Sequence, residues 1–113
     1  MHIINSEYLI KINKKIGEKG IIINPTNLDF ILDYANNMNL ELKKTAYLAS
    51  KIINLHIFED GNKRTAAILI TRYFGEKEIG YSPKKVMNVC INISKKNIND
   101  INYIKERIKN AIR

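Results

Sequence analysis

The chain has 113 residues, of which 45% are hydrophobic and 27% charged, as is usual for one globular domain. It contains a single cysteine, Cys90, and no apolar run near the roughly 20 residues that a membrane-spanning helix needs. These features exclude an internal disulfide and a spanning helix. Since the N-terminus also lacks the pattern of a secretory signal, we expect one domain over residues 1–113, located in the cytoplasm and without a membrane partner.

The net charge of +8 does not by itself identify a partner. Lysines are spread along the chain, and no basic block is interleaved with aromatic residues. An excess of positive charge is compatible with binding of nucleic acid, of a polyphosphate ligand or of an acidic protein. It is equally compatible with a solvated surface that binds nothing. Because no basic block stands out, nucleic acid is not the expected partner.

In chain order, the first predicted helix runs from Ser6 to Ile16, with Ser6 as its N-terminal cap and Gly17 as its stop. The segment from Gly20 to Pro25 follows. It is rich in β-branched residues and too short for a helix, so it predicts an extended flap.

A second helix is predicted from Thr26 to about Asn36, opened by a capping box of Thr26 and Asp29. Asn39 is expected to cap the third helix. The apolar stripe of this third helix consists of Leu42, Ala46, Ala49 and Ile53. Because the same spacing continues to His56, we expect that imidazole to face inward from the last helical turn.

The fourth helix is predicted from Lys63 to Gly75, and its nearly uniform apolar character predicts a central position. Ser82-Pro83 opens a fifth helix, and Asn99 or Asp100 a sixth. The predicted buried face of the sixth helix consists of Ile101, Ile104, Ile108 and Ile112. The expected fold is therefore all-α, a compact bundle of six helices with one short extended flap.

The most informative segment lies between the third and fourth helices. Gly61 and Asn62 stand where the fourth helix begins, and the first turn of a helix presents free backbone N–H groups that attract anions. Gly61 allows a ligand to approach that backbone, and Lys63 and Arg64 add positive charge. The segment therefore predicts an anion site, with phosphate as its natural ligand.

Asp60 and His56, which precede that turn, can supply a metal ligand and a base. Asp60 can hold Mg²⁺ beside bound phosphates, and His56 in its neutral form can accept a proton from an attacking hydroxyl. Taken singly, His56 is also compatible with a core histidine, Asp60-Gly61-Asn62 with a plain turn, and Lys63-Arg64 with a solvated surface. Their combination within the segment from His56 to Arg64 favours a single site.

The same segment resembles the core motif of the Fic/Doc family, His-x-Phe-x-Asp/Glu-Gly-Asn followed by Gly or Lys and then Arg. The resemblance implies a helical Fido-type fold that binds ATP with Mg²⁺ and transfers a phosphate-containing group to a protein hydroxyl. It implies that His56 is the general base and Asp60 the metal ligand. The implied phosphate-binding residues are Gly61, Asn62, Lys63 and Arg64, and the implied flap for the target segment is Ile21, Ile22, Ile23 and Asn24.

Two departures favour one branch of this family. Fic adenylyltransferases have a second glycine at the position of Lys63 and a second arginine at the position of Ala67. Both differences match the death-on-curing (Doc) branch, whose members resemble kinases. The resemblance therefore implies a toxin of a toxin–antitoxin system that phosphorylates a Ser/Thr hydroxyl of a translation elongation factor. The flap residues Asn24-Pro25 differ from the charged residues of many relatives, so the target stays open.

The inhibitory motif of many Fic proteins, Ser/Thr-x-x-x-Glu-Gly/Asn, has no match in the chain. We therefore expect inhibition by a separate antitoxin. Two alternatives remain. One is a Fic-type adenylyltransferase, which transfers AMP. The other is an inactive module that binds nucleic acid or protein, for which the basic composition is the motive.

Overall fold

The structure is a computed structural model that describes residues 3–113. This part of the chain forms six helices, α1 (Ser6–Lys15), α2 (Pro25–Asn36), α3 (Glu41–Asn54), α4 (Asn62–Glu76), α5 (Pro83–Lys96) and α6 (Ile101–Lys109). Over residues 3–113 extended backbone pairs only at two isolated bridges, Ile22 with Phe58 and Tyr81 with Ile112. No helix in that range is both long and apolar enough to cross a bilayer. The predicted all-α bundle is confirmed.

Helix α4 packs against α1, α3 and α5, and its neighbour α3 packs against α2, α4, α5 and α6. Its buried positions include Ala66 and Ala67, and those of α3 include Ala46 and Ala49. Small side chains on both helices allow close packing, because the distance between helix axes depends on side-chain size at the contact. The central position predicted for α4 alone is therefore shared with α3, which contacts more of the other helices.

The start of α1 differs from the prediction by one residue. Asn5 has extended backbone, and its side chain accepts a hydrogen bond from the Tyr8 N–H at 2.9 Å. Ser6, the predicted cap, is the first helical residue. The helix ends at Lys15, and Gly17 follows in the left-handed region at φ +96°, as its predicted role as a stop requires.

Helix α2 also starts earlier than expected. Asn24 is the cap, since its side chain accepts the Asn27 N–H at 3.3 Å. Pro25 is then the first helical residue, a position where the missing N–H of proline costs nothing. The predicted capping box of Thr26 and Asp29 is therefore wrong, because both residues already lie inside the helix.

For the remaining helices, two of the predicted caps are confirmed and one is wrong. Ser82 caps α5 and Asp100 caps α6, as expected. Leu40 rather than Asn39 precedes α3, and its apolar side chain cannot accept a hydrogen bond. The apolar face of α6 is buried at Ile104 and Ile108, but Ile112 lies beyond the helix end and is 43% exposed.

The predicted inward orientation of His56 is wrong. Helix α3 ends at Asn54, so the apolar periodicity does not extend to residue 56. His56 lies in the following turn with φ +47°, in the left-handed region, and its side chain is exposed. The reversal of the backbone places the next two residues, Ile57 and Phe58, in the core instead.

The cap of α6 allows a simple test of this account. Asp100→Ala should lower the free energy of unfolding by about 1 kcal/mol, because the N–H of Tyr103 loses its acceptor. Asp100→Asn should keep most of the stability, since its side-chain oxygen can accept the same bond. Urea unfolding followed by circular dichroism measures both variants. Equal losses for the two would show that the cap hydrogen bond is not the cause.

Candidate functional site

The candidate site is the junction between α3 and α4. Gly61 has φ +78°, and its carbonyl accepts the first hydrogen bond of α4, from the Thr65 N–H at 2.8 Å. Within the described chain, no side chain caps this helix start. The backbone N–H groups of Asn62, Lys63 and Arg64 therefore have no acceptor within the helix and lie at the positive end of its dipole. This arrangement can bind an anion.

Gly61 is required at this position for space as well as for its backbone angle. A Cβ atom placed there would lie 2.7 Å from Cγ of Glu18 and 3.2 Å from Cδ1 of Ile16. Glu18 thus brings a carboxylate-bearing side chain next to the junction, and this residue is not among the predicted site residues. Glu18 follows the end of α1 in a loop, and no periodicity of the sequence points to it.

The side chain of Asn62 fixes the loop before the helix. The Phe58 N–H donates to Oδ1 of Asn62 at 2.9 Å, and Nδ2 of Asn62 donates to the Phe58 carbonyl at 2.9 Å. Phe58 itself is fully buried. Since both ends of the amide contact the Phe58 backbone, the group that Asn62 offers to an anion is its backbone N–H.

A second asparagine, Asn13 of α1, holds the junction from the other side. It is 1% exposed, and its Nδ2 donates to the Asp60 carbonyl at 2.9 Å and to Oγ1 of Thr65 at 3.1 Å. Its Oδ1 accepts the Gly20 N–H at 2.8 Å. Asn13 is not among the predicted site residues, although an asparagine four residues after Leu9 interrupts the apolar face of α1 and is a signal in the sequence.

The charged residues of the predicted site lie along the same stretch of chain. The side chains of His56, Asp60, Lys63 and Arg64 are all exposed. Nη2 of Arg64 donates to the Ile16 carbonyl at 2.8 Å, so this guanidinium also holds the end of α1. The planar guanidinium has five N–H donors, and others therefore remain for a phosphate.

A metal cation at this junction would need oxygen atoms of a bound phosphate to complete its coordination. Across residues 3–113, no group of three or more His, Cys, Asp or Glu side chains is placed to hold a metal ion. Mg²⁺ commonly takes one or two carboxylates and completes its shell with phosphate oxygens and water. The exposed carboxylate of Asp60, beside an anion site, fits that chemistry.

The flap lies against the loop of the site. The Ile23 N–H donates to the Ile57 carbonyl and the Glu59 N–H donates to the Ile21 carbonyl, both at 2.9 Å. Ile22 pairs with Phe58 between these bonds, so its own N–H and C=O point toward the opposite, open edge. Ile21 and Ile23 are 45% and 57% exposed. The flap therefore offers an extended edge with two apolar side chains.

Removal of the Asn13 amide should destabilise the whole junction. We expect Asn13→Ala to lower the free energy of unfolding by about 2–3 kcal/mol, because buried polar groups of three segments lose their partner. The matched control is Asn102→Ala, an exposed position of α6, which should change stability by less than about 0.5 kcal/mol. Chemical denaturation measures both variants. Equal losses would contradict the role given to Asn13.

Comparison with known families adds one finding. A model described as the Fic/DOC family matches residues 4–74, which is more than half of the chain. The match includes α1 to α3, the flap, the junction and most of α4, whereas α5 and α6 lie beyond it. Comparisons with curated proteins and with solved structures give no match.

Proposed function

Because the chain belongs to the Fic/DOC family, whose members generally transfer phosphate-containing groups of nucleotides to proteins, we propose that it is a Doc-like toxin that phosphorylates a target protein. The donor would be ATP and the acceptor a Ser/Thr hydroxyl. One observation carries the proposal: an exposed imidazole, an exposed carboxylate and an uncapped helix N-terminus lie within one junction. Phosphoryl transfer requires these three functions, a base, a cation ligand and an anion site.

The residues of the junction divide the chemistry as follows. The N–H groups of the first turn of α4, with Lys63 and Arg64, bind the phosphates. Asp60 would hold Mg²⁺, which would neutralise negative charge on the phosphates. His56 accepts the proton of the target hydroxyl, while the oxygen of that hydroxyl forms a bond to the γ-phosphorus. The bond from that phosphorus to the bridging oxygen breaks, and ADP leaves.

The flap is proposed to hold the target. An extended segment of the target can pair with the open N–H and C=O of Ile22, while Ile21 and Ile23 contact its side chains. Asn24 was expected to belong to this surface, but its side chain caps α2. We propose a translation elongation factor as the target, on the resemblance to the Doc branch.

The choice of the γ-phosphate rests on two positions of α4. Lys63 is exposed at the first turn, where adenylyltransferases of the family have glycine. Ala67 is buried and uncharged, where those enzymes have a second arginine. The first turn of α4 therefore offers Lys63 and Arg64 as its cations, and Arg64 already contacts the Ile16 carbonyl. This set matches the kinase-like branch better than the adenylyltransferases, which would transfer AMP.

Regulation is proposed to come from outside the chain. The family's inhibitory motif has no match, so a separate antitoxin would control a toxin that acts in the cytoplasm. A disordered antitoxin segment that folds on binding is suited to this role.

Labelled ATP tests the proposed transfer directly. The protein is incubated with Mg²⁺, cell lysate and ATP labelled at either the γ- or the α-phosphate. We expect label on a protein from γ-labelled ATP alone, and its loss with Asp60→Asn. Transfer of label from α-labelled ATP would show that the protein is an adenylyltransferase and not a kinase. No label from either donor would support an inactive binding module instead.

A glycine substitution at His56 can separate the chemical role of the imidazole from the effect of this residue on stability. Its φ of +47° is unfavourable for a residue with a Cβ, so His56→Gly should stabilise the fold by about 1 kcal/mol. The same variant should slow transfer by about 10²–10⁴-fold, the usual contribution of a general base. Unfolding and label transfer are measured on the same protein.

The matched control is Glu78→Gly, another exposed residue at positive φ, +56°, which lies beyond the end of α4. It should gain similar stability without losing transfer. If His56→Gly kept full transfer, His56 would not be the base. If it lost transfer only because it unfolded, the assignment of strain would be wrong.

A further inference from the structure

The positive charge of the chain is unevenly distributed, because the acidic residues are unevenly distributed. Residues 80–113 contain eight of the 19 basic residues but only two of the 11 acidic ones, so they hold +6 of the net +8. Helix α5 contains four lysines and no acidic residue. A merely solvated surface usually mixes both signs. The segment also lies beyond the range matched by the family, so the phosphate junction does not explain its charge.

A groove of about 260 Å³ runs between the two helices of this segment. Its lining consists of Lys85, Asn88, Val89 and Asn92 from α5, of Arg107 from α6 and of Asn110, which directly follows α6. Over residues 3–113 this lining includes no acidic side chain. The sequence spacing explains why these side chains line one groove. Residues 85, 88 and 92 share one helix face, and residues 107 and 110 share another.

An aromatic ring stands beside the groove. Tyr103 is 43% exposed, and Cζ of Arg107 lies 5.6 Å from the centre of its ring. Tyr103, Arg107 and Asn110 follow each other at helical spacing, so the ring continues the Arg107 row of α6. An exposed ring and a guanidinium plane are both surfaces on which a nucleic-acid base can stack.

We propose that this groove binds a single strand of nucleic acid. Lys85 and Arg107 neutralise backbone phosphates, and the amides of Asn88, Asn92 and Asn110 can donate to and accept from base edges. Tyr103 supplies a stacking platform. This proposal differs from the expectation that nucleic acid is not a partner, because the lysines are scattered but acidic residues are scarce in residues 80–113.

An acidic protein segment fits the groove less well. A disordered segment that folds on binding must bury apolar surface to offset its loss of conformational entropy. Val89 is the apolar member of the lining and is itself only 8% exposed. The lining therefore offers charge and amides with little apolar surface, and the exposed ring beside it, that of Tyr103, lies against the Arg107 guanidinium. Such a surface suits a phosphodiester strand, whose charge is regular and whose bases stack and pair at their edges.

Fluorescence anisotropy with labelled oligonucleotides tests the proposal. The probes are an oligouridylate and an oligothymidylate of about 12 nucleotides, and a polyglutamate peptide of the same length. We expect one or both oligonucleotides to bind the wild-type chain at least about tenfold more tightly than the peptide, with affinity that falls as salt rises. Comparison of the two oligonucleotides distinguishes RNA from DNA as the source of the strand.

Variants then locate the binding. Lys85→Glu combined with Arg107→Glu should weaken oligonucleotide binding by about tenfold or more and reduce its salt dependence. The control, Lys11→Glu combined with Lys43→Glu, makes the same change of charge at exposed positions of α1 and α3 and should have little effect. Tyr103→Ala, which leaves the charge unchanged, should weaken binding by about five- to a hundredfold through lost stacking.

Three results would overturn the proposal. One is an absence of oligonucleotide binding by the wild-type chain. Another is an equal loss in the control pair, which would show that net charge alone attracts the probe. The third is polyglutamate binding as tight as that of the oligonucleotides, which would assign the groove to an acidic protein. Thermal unfolding of each variant shows that its fold is intact, and Lys85→Gln with Arg107→Gln replaces the charge-reversal pair if that pair unfolds.

Discussion

The buried amide of Asn13 is the interaction on which the candidate site depends. One side chain in α1 bonds to the base of the flap at Gly20, to the loop at Asp60 and to the first turn of α4 at Thr65. An amide provides both donors and an acceptor, so it can join three segments without introducing a charge. Because unpaired polar groups are costly inside a protein, this network fixes the segments relative to each other. The positions of flap and loop are therefore linked.

Backbone geometry provides the second constraint. His56 and Gly61 both lie in the left-handed region, and between them Phe58 is buried and bonded to the Asn62 amide. A histidine at positive φ is unfavourable by about 1 kcal/mol or more, a cost that the anchored loop must offset. Strain of this kind is often retained where it exposes a functional side chain. Here the turn moves the imidazole out of the core and into solvent.

Much of the architecture could be predicted from the sequence, because apolar periodicity and capping residues determine it locally. The number of helices, the caps at Ser82 and Asp100 and the extended flap follow from such patterns. The inward orientation of His56 could not be predicted correctly, since periodicity does not reveal a helix that stops two residues early. Glu18 was missed because its proximity to Gly61 arises from tertiary packing. The roles of the site residues themselves stay predictions.

The central claim is that the uncapped start of α4 binds the phosphates of a nucleotide. Hydrogen exchange of single amides, measured by nuclear magnetic resonance with and without Mg-ATP, tests it most directly. The account predicts slower exchange at the N–H groups of Asn62, Lys63 and Arg64 when the nucleotide is present, with no change at the start of α2, where Asn24 already caps the helix. Unchanged exchange at the start of α4 under saturating nucleotide, or equal protection of both helix starts, would contradict it.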